Sequence, residues 1–170
     1  MEIEKKNILK ISAIIAILIS ATGLSIQPAR ASTRLDWDYF LSTDYSHNIN
    51  PGSYLAAWHF GSGYSCWGYF TIDSGGWGGG TCETPNKAIP DGTDRLRIEL
   101  DKGYDPSNVG WQAWVYVDGQ KVGELAWGWN TIYVGADDDY FTIHISVGQS
   151  WPYVASYWGF DYIKWEAWDD

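Results

Sequence analysis

Short runs in which apolar and polar residues alternate recur through the second half of the chain. In Arg95–Asp101, leucine and isoleucine alternate with arginine and glutamate, and in Tyr140–Val147 phenylalanine, isoleucine and valine alternate with threonine, histidine and serine. A period of two is that of a half-buried β-strand. The other candidate strands are Leu35–Phe40, Tyr54–Phe60, Trp67–Asp73, Trp111–Val117, Val122–Ala126, Thr131–Val134 and Asp161–Trp168. The pattern predicts eight or nine strands and no helix after residue 31.

Glycine, proline, asparagine and aspartate separate these strands at short intervals. Such spacing is typical of an all-β protein, an antiparallel β-sandwich or jelly roll. The clearest hairpin signal is Asp118-Gly119, between the valines of Trp111–Val117 and Val122. The hairpin loop holds either two or four residues, and the choice changes which side chains pair across the strands.

The first 31 residues have the order of a secretory signal peptide. A basic start with Lys5, Lys6 and Lys10 precedes the apolar run Ile11–Ile26, and Ala29-Arg30-Ala31 is a small-x-small cleavage site. The alternative is an uncleaved anchor, for which sixteen apolar residues are short. We therefore expect residues 1–31 to be removed and residues 32–170 to form one secreted domain, with no membrane insertion of the mature chain.

Charge limits the range of partners. The full chain has a net charge of −10, and without the leader nineteen acids face seven bases, for a net of −12. Such a surface repels phosphate backbones, so we expect no nucleic-acid partner. It suits neutral ligands, cations, or solubility outside the cell.

Two cysteines, Cys66 and Cys82, lie in the predicted mature domain. Export and the even count predict a disulfide between them. A two-cysteine metal site is the alternative, but no nearby histidine has the spacing of a zinc ligand.

Aromatic residues dominate the composition. The chain has 12 Trp, 12 Tyr and 5 Phe, and every tryptophan follows Asp36. In Trp111–Val117, Trp114 and Tyr116 share parity with polar Gln112, whereas alanine and valine take the other face. If the aliphatic face is the core, the two rings point outward about 7 Å apart, a spacing suited to stacking on sugars. The alternative is that both faces of this strand are covered.

Two further tryptophans are candidate ligand contacts. Trp77 is surrounded by glycines in Ser74–Thr81, and Trp129 follows Gly128. Trp77 is either a mobile contact residue or a plug at one end of the sandwich. Packing in the interior would explain Trp129 equally well.

Carboxylates suggest two other chemistries. Asp137, Asp138 and Asp139 are consecutive in a predicted turn, where a structural calcium ion is one expectation and simple solvation the other. Glu99 and Asp101 share a strand face, as the acid pair of a glycosidase would need. Arginines share that face, so we expect ion pairing and no catalytic residue.

Two stretches resemble known families. Val115–Val122 (VYVDGQKV) resembles the hairpin of concanavalin-A-like and laminin-G-type sandwiches. Trp129–Val134 (WNTIYV) and Phe160–Glu166 (FDYIKWE) are similar to the closing strands of jelly-roll carbohydrate-binding modules. The positions that match those modules are Asn130 and Asp161. The glutamate-rich calcium motif expected near their N-terminus is absent here. Both resemblances imply a jelly-roll or concanavalin-A-like sandwich that binds sugar.

The sequence therefore predicts a secreted, non-catalytic, lectin-like β-sandwich that binds a neutral glycan. The predicted ligand contacts are Trp114, Tyr116, Gln112, Trp77 and Trp129. A cell-surface or extracellular assembly subunit, which self-associates through aromatic surfaces and strand edges, is the first alternative. A small glycan-active hydrolase is the second.

Overall fold

The alternating pattern folds into two antiparallel β-sheets. The computed structural model describes residues 31–49, 55–60, 63–70, 78–107, 109–149 and 156–170. Twelve strands and one short 3-10 turn, Ser42–Asp44, lie in this part of the chain. The strands are β1 Thr33–Tyr39, β2 Ser46–Ile49, β3 Leu55–Phe60, β4 Cys66–Phe70, β5 Gly78–Glu83, β6 Lys87–Ala88, β7 Arg95–Tyr104, β8 Val109–Val117, β9 Gln120–Leu125, β10 Gly128–Tyr133, β11 Tyr140–Gln149 and β12 Ser156–Asp169.

Each sheet has six strands within the described residues. In sheet A the order is β10-β7-β12-β4-β3, and β1 pairs with the second half of β12. In sheet B the order is β2-β5-β11-β8-β9, and β6 pairs with the start of β11. The long strands β12 and β11 therefore form the centre of their sheets. The all-β antiparallel sandwich predicted from the sequence is confirmed.

The core lies between the inner faces of the two sheets. Leu96, Ile98 and Leu100 of sheet A are fully buried, as are Val115 and Ile143 of sheet B. Contacts between large rings join the sheets. The ring of Phe141 lies 5.4 Å from that of Trp165 and 6.1 Å from that of Phe40. The inward positions predicted by the alternation in β7 and β11 are confirmed.

The β8–β9 hairpin has a two-residue turn. Val117 pairs with Gln120, and between them Asp118 and Gly119 have φ of 47° and 77°. Positive φ at both central residues is the signature of a type I′ turn, which matches the twist of the flanking strands. The four-residue loop is therefore excluded, and the two-residue turn places Val117 of β8 opposite Gln120 of β9.

All nine candidate strands are present, and the described residues contain three more. The additional strands β2 and β6 are short, and β5 begins with three glycines. The glycine-rich stretch Ser74–Thr81 has no alternating pattern that would predict a strand. Its second part instead belongs to β5, where Gly78–Gly80 pair with Gln149, Gly148 and Val147 of β11. The backbone forms this ladder without side-chain alternation.

The predicted disulfide is not formed. Cys66 of β4 and Cys82 of β5 are buried free thiols whose Sγ atoms lie 3.6 Å apart. A disulfide requires about 2.05 Å between the sulfur atoms. The hydrogen bond with the neighbouring Cys66 thiol, together with burial, raises the pKa of Cys82, which keeps it protonated. The sequence correctly indicated that the two residues meet, here across the two sheets, but adjacency alone does not oxidise a thiol pair.

Residues Ser32–Asp170 form one compact unit. The signal peptide predicted over residues 1–31 lies almost entirely outside the described residues and stays a prediction. Within the described part of the chain, no helix is long and apolar enough to cross a membrane.

Candidate functional site

The outward side of sheet B carries aromatic and neutral polar side chains. On β8, residues 112, 114 and 116 point away from the core while Ala113, Val115 and Val117 are buried. Directly opposed residues of antiparallel strands share a face, so the pairing register assigns the rest of the surface. We call this surface face B, formed by Ser46, Asn48, Thr81, Glu83, Gln112, Trp114, Tyr116, Lys121, Glu124, Thr142, His144 and Ser146.

Trp114 and Tyr116 lie at the centre of face B, as the sequence predicted. Both are half-buried, and each has a neighbour that holds its ring. The Lys121 Nζ lies 4.5 Å from the centroid of the Trp114 ring, an attractive cation–π arrangement. The Tyr116 ring lies 4.2 Å from the imidazole of His144, with 31° between the ring planes. The two rings are therefore fixed on a strand, which orients them better than a loop would.

His144 links the rings to the polar groups around them. Its Nδ1 lies 3.4 Å from the Glu83 Oε1, and its Nε2 lies 3.2 Å from the Thr142 Oγ1. These contacts hold the imidazole beside the Tyr116 ring, tilted by 31°. The Glu83 carboxylate, the Thr142 hydroxyl and the His144 imidazole thus lie near the Tyr116 ring, and each of these groups can form a hydrogen bond with a sugar hydroxyl.

A row of neutral polar side chains runs beside the rings. Gln112 lies opposite Ser146, Ser146 opposite Thr81, and Thr81 opposite Asn48. This row crosses four strands, a distance of about 14 Å at ordinary strand spacing. It presents two amides and two hydroxyls and no formal charge. Gln112 is exposed, in agreement with its predicted place beside Trp114.

Of the other two predicted ligand contacts, the structure describes only Trp129. Trp129 lies on β10 at the edge of sheet A, so it is on the opposite side of the sandwich from Trp114. The prediction that it assists the Trp114 surface was wrong, because the chain crosses between sheets from β9 to β10. Trp77 lies outside the described residues.

The outward side of sheet A is also aromatic, but its other side chains are charged. Alternation on β7 and β12 exposes basic and acidic residues while their neighbours enter the core. We call this surface face A, formed by Arg34, Trp37, Tyr39, Arg95, Arg97, Glu99, Asp101, Trp129, Thr131, Tyr133, Tyr162, Lys164, Glu166 and Trp168. Tyr133 is 75% exposed, Trp37 48% and Trp129 40%.

Cations lie against the tryptophan rings of face A. The guanidinium of Arg97 lies 4.4 Å from the centroid of Trp129, and that of Arg34 lies 5.4 Å from Trp37. Lys164 lies between the two rings, with its Nζ 5.1 Å from Trp129 and 5.5 Å from Trp37. Cation–π contacts at such distances contribute about 0.5–1 kcal/mol each at exposed sites. The rings and cations of four strands thus form one connected array.

Glu166 is the centre of that array. Its side chain is 6% exposed and accepts contacts from Lys164 Nζ at 3.1 Å, Arg34 Nη1 at 3.2 Å and Arg97 Nη1 at 3.5 Å. The Trp168 indole donates to its Oε2 at 3.0 Å. Burial alone would raise the pKa of Glu166, but the hydrogen bonds from Lys164 and Trp168 and the charge of Lys164 outweigh it and lower the pKa. Glu166 is therefore ionised and holds three cations in place.

The carboxylates considered for hydrolysis lie on the same face. Glu99 and Asp101 share the outward side of β7, as predicted, and the Tyr162 hydroxyl donates to the Glu99 Oε2 at 3.2 Å. Partial burial and the two carboxylates raise the pKa of Tyr162 to about 12. The neutral tyrosine thus serves as a donor to Glu99 near pH 7.

Two residues of the acidic turn Asp137-Asp138-Asp139 form hydrogen bonds with nearby turn residues. The Asp138 Oδ2 accepts a hydrogen bond from the Gly135 amide at 2.6 Å, and the Asp139 amide donates to Asp118. Among the described residues, no group of three or more acidic, histidine or cysteine side chains is placed to hold a metal ion. Calcium binding at these residues stays a prediction.

The sequence pattern did not identify Trp37, Lys164 and Glu166 as candidate site residues. The signal for two of them was present, because Lys164 and Glu166 alternate with buried Ile163, Trp165 and Ala167. Their meeting with Trp37 and Trp129 depends on the strand order β1-β12-β7-β10, which alternation does not encode.

No protein-family model matches the sequence, and no curated protein matches it. Several solved structures are similar. A family 35 carbohydrate-binding module from Clostridium thermocellum is 13% identical, and the match covers 76% of this chain and 97% of that chain with a TM-score of 0.39. The adhesin domain of Epf from Streptococcus pyogenes is 10% identical over 81% of this chain and 58% of that chain, with a TM-score of 0.44.

A third similar structure is the family 32 carbohydrate-binding module of C. perfringens NanJ in complex with galactose. It is 7% identical over 78% of this chain and 99% of that chain, with a TM-score of 0.36. Two of these three structures are thus carbohydrate-binding modules.

Proposed function

We propose that this protein is an exported, non-catalytic carbohydrate-binding β-sandwich that binds a neutral glycan on face B. The proposal rests on two adjacent rows of side chains on face B, one of rings and one of neutral polar groups. Trp114, Tyr116 and His144 supply flat rings, and the adjacent row supplies neutral amides and hydroxyls.

The chemistry of a neutral sugar matches those two rows. A pyranose ring has an apolar face of C–H groups that stacks on an aromatic ring, and its rim of hydroxyls both donates and accepts hydrogen bonds. Gln112 and Asn48 offer both functions from one amide, and Ser146 and Thr81 do so from a hydroxyl. The row of about 14 Å suits a glycan of several sugars better than a monosaccharide.

Rigid placement favours binding as well. Trp114 is flanked by Glu124 of β9 and His144 of β11, and Tyr116 is stacked against His144 before any ligand arrives. Little side-chain entropy is then lost on binding, because two-angle aromatic side chains start out ordered. The Lys121 ammonium group is held 4.5 Å from the centroid of the Trp114 ring.

The test compares Trp114→Ala with Val115→Ala after a screen on an array of neutral glycans. Trp114→Ala removes an outward ring and should weaken binding of the best glycan by ten- to a hundredfold, about 1–3 kcal/mol, with little change in melting temperature. Val115→Ala empties a fully buried site one residue away and should lose about 2 kcal/mol of folding stability. Trp114→Phe, which keeps a ring, should lose less affinity than the alanine variant.

Two results would contradict the proposal. One is a Trp114→Ala protein that fails to fold, which would make this ring part of the core and favour an assembly subunit. The other is a folded Trp114→Ala variant that binds every neutral glycan as tightly as the unchanged protein.

A further inference from the structure

Basic residues are scarce in this acidic protein and are concentrated on face A. Of the seven that follow residue 31, four lie there: Arg34, Arg95, Arg97 and Lys164. Of the others, Lys87 contacts Asp38 and Lys102 contacts Asp105, while Lys121 covers Trp114 on face B. The protein therefore presents its positive charge mainly on one side of the sandwich.

At the centre of face A, three cations converge on one nearly buried carboxylate. Arg34, Arg97 and Lys164 all contact the single carboxylate of Glu166. Glu99 lies opposite Lys164 and accepts a hydrogen bond from Tyr162. Asp101 lies two residues beyond Glu99 on the same face, opposite Tyr162. Both arginine side chains remain partly open, at 42% for Arg34 and 35% for Arg97. Arginine has five donors, so contact with Glu166 leaves others free for a second anion.

The exposed rings border these cations. Trp129 and Trp37 lie on strands three spacings apart, with Lys164 between them. Because the Lys164 Nζ lies 5.1 Å from the centroid of Trp129 and 5.5 Å from that of Trp37, the two ring centroids are less than about 11 Å apart. A ligand that spans both rings passes directly over the cations. Such a ligand needs flat apolar faces for the rings and an acidic group between them.

We infer that face A is a second binding surface, distinct from face B, and that it takes a carboxylated polysaccharide. Its sugar rings stack on Trp37 and Trp129, and a carboxylate between them pairs with Arg97, Arg34 or Lys164. Charge-assisted contacts between guanidinium and carboxylate are short and directional, which selects the acid over its ester. The net charge of the protein does not prevent this, because salt at physiological concentration screens distant acids beyond about 8 Å.

The test uses polygalacturonate and its fully methyl-esterified form, which share a backbone and differ in charge. In calorimetric titrations the acid form should bind at least about tenfold more tightly than the ester. Arg97→Gln and Trp129→Ala should each weaken binding of polygalacturonate by about tenfold. Lys102→Gln is the matched control, because it removes one cation from the same strand, 53% exposed, at the far end of β7, and should leave binding unchanged.

The same variants distinguish this inference from the proposed function. Arg97→Gln and Trp129→Ala should leave the affinity of face B for its neutral glycan unchanged, so either face can fail alone. If Arg97→Gln does not fold, because it loses its contact with Glu166, Trp129→Ala carries the test, since that ring is exposed.

Four results of the binding experiments would overturn the inference. They are absence of binding to polygalacturonate, equal binding of acid and ester, an equal loss in Lys102→Gln, and binding confined to dextran sulfate or polyphosphate, which carry no carboxylate. Self-association of the protein without ligand, abolished by Arg97→Gln in analytical ultracentrifugation, would likewise overturn it, because face A would then be an interface between copies.

Discussion

Face A and face B are built from the same kind of strand, but they differ in the number of tryptophan and tyrosine rings, six on face A and two on face B, and in how those rings are stabilised. On face B, Trp114 and Tyr116 are held mainly by a neighbouring ring and one lysine, with uncharged polar groups beside them. On face A, cations hold Trp37 and Trp129, and Glu166 holds the cations. The outward residues of β7 and β12 are mostly charged and those of β8 and β11 mostly neutral, and this difference alone produces two chemically different surfaces.

The comparison also shows where stability and binding are coupled. On face B, removal of an outward ring affects few other side chains. On face A, one nearly buried carboxylate contacts three cations that in turn contact two tryptophans. A substitution at Glu166 should therefore change folding stability and the shape of the surface together, whereas an acid on face B should affect neither much.

The largest effect on stability is expected for Glu166→Ala. The change leaves three cations and the Trp168 indole without their common acceptor. Removing one partner of a buried ion pair costs about 3–5 kcal/mol, and partial exposure of Arg34 and Arg97 reduces the expected loss here to about 2–3 kcal/mol. Urea denaturation measures it.

Glu83→Ala is the matched control on face B. Its carboxylate pairs with His144 at 3.4 Å, and both side chains are about one-third exposed or more. An exposed pair of this kind contributes about 0.5 kcal/mol or less. Equal losses of unfolding free energy in Glu166→Ala and Glu83→Ala would show that the two faces do not differ in this way.

Acid should weaken the ionic contacts at the centre of face A. The folded protein holds the pKa of Glu166 below its ordinary value of 4.5. A lowered pKa contributes stability that is fully present above pH 4.5 and is lost as the pH falls through the lowered value. Glu166→Gln cannot titrate at this position, so the stability gap between it and the unchanged protein should narrow from pH 7 to pH 3. A gap that stays constant or widens in urea denaturation would refute this assignment.

The smallest effect is expected from calcium. Asp137, Asp138 and Asp139 are the predicted ligands, but Asp138 already caps its own turn through Gly135. We expect the melting temperature in calcium to exceed that in chelator by no more than about 1 °C, because a weakly bound ion adds little stability. A rise of several degrees that Asp137→Asn abolishes would establish a calcium site and add a charged feature beside the two faces.

Much of the fold follows from local pattern. The period of two in β7 and β11 is enough to separate core from surface positions, and Asp118-Gly119 is enough to predict the hairpin, because both depend on neighbouring residues. The strand β5 could not be predicted in the same way. Its glycines have no side chains to alternate, and they form a strand because β11 offers a partner.

The candidate sites were only partly predictable, for a related reason. Trp114, Tyr116 and Gln112 lie on one strand, so their common face follows from parity. Face A combines side chains from β1, β12, β7 and β10, and long-range pairing alone decides that these strands are neighbours. The contact of Cys66 with Cys82 was predictable, but their state as thiols was not, since spacing carries no information about oxidation.

The measurement that tests the account most directly is a crossed binding experiment on the two faces. Trp114→Ala and Trp129→Ala are each titrated with the neutral glycan selected on the array and with polygalacturonate. Trp114→Ala should lose ten- to a hundredfold in affinity for the neutral glycan and less than about twofold for polygalacturonate, and Trp129→Ala should show about a tenfold loss for polygalacturonate alone, because independent sites do not couple. A single variant that weakens both ligands equally would contradict the presence of two separate binding faces.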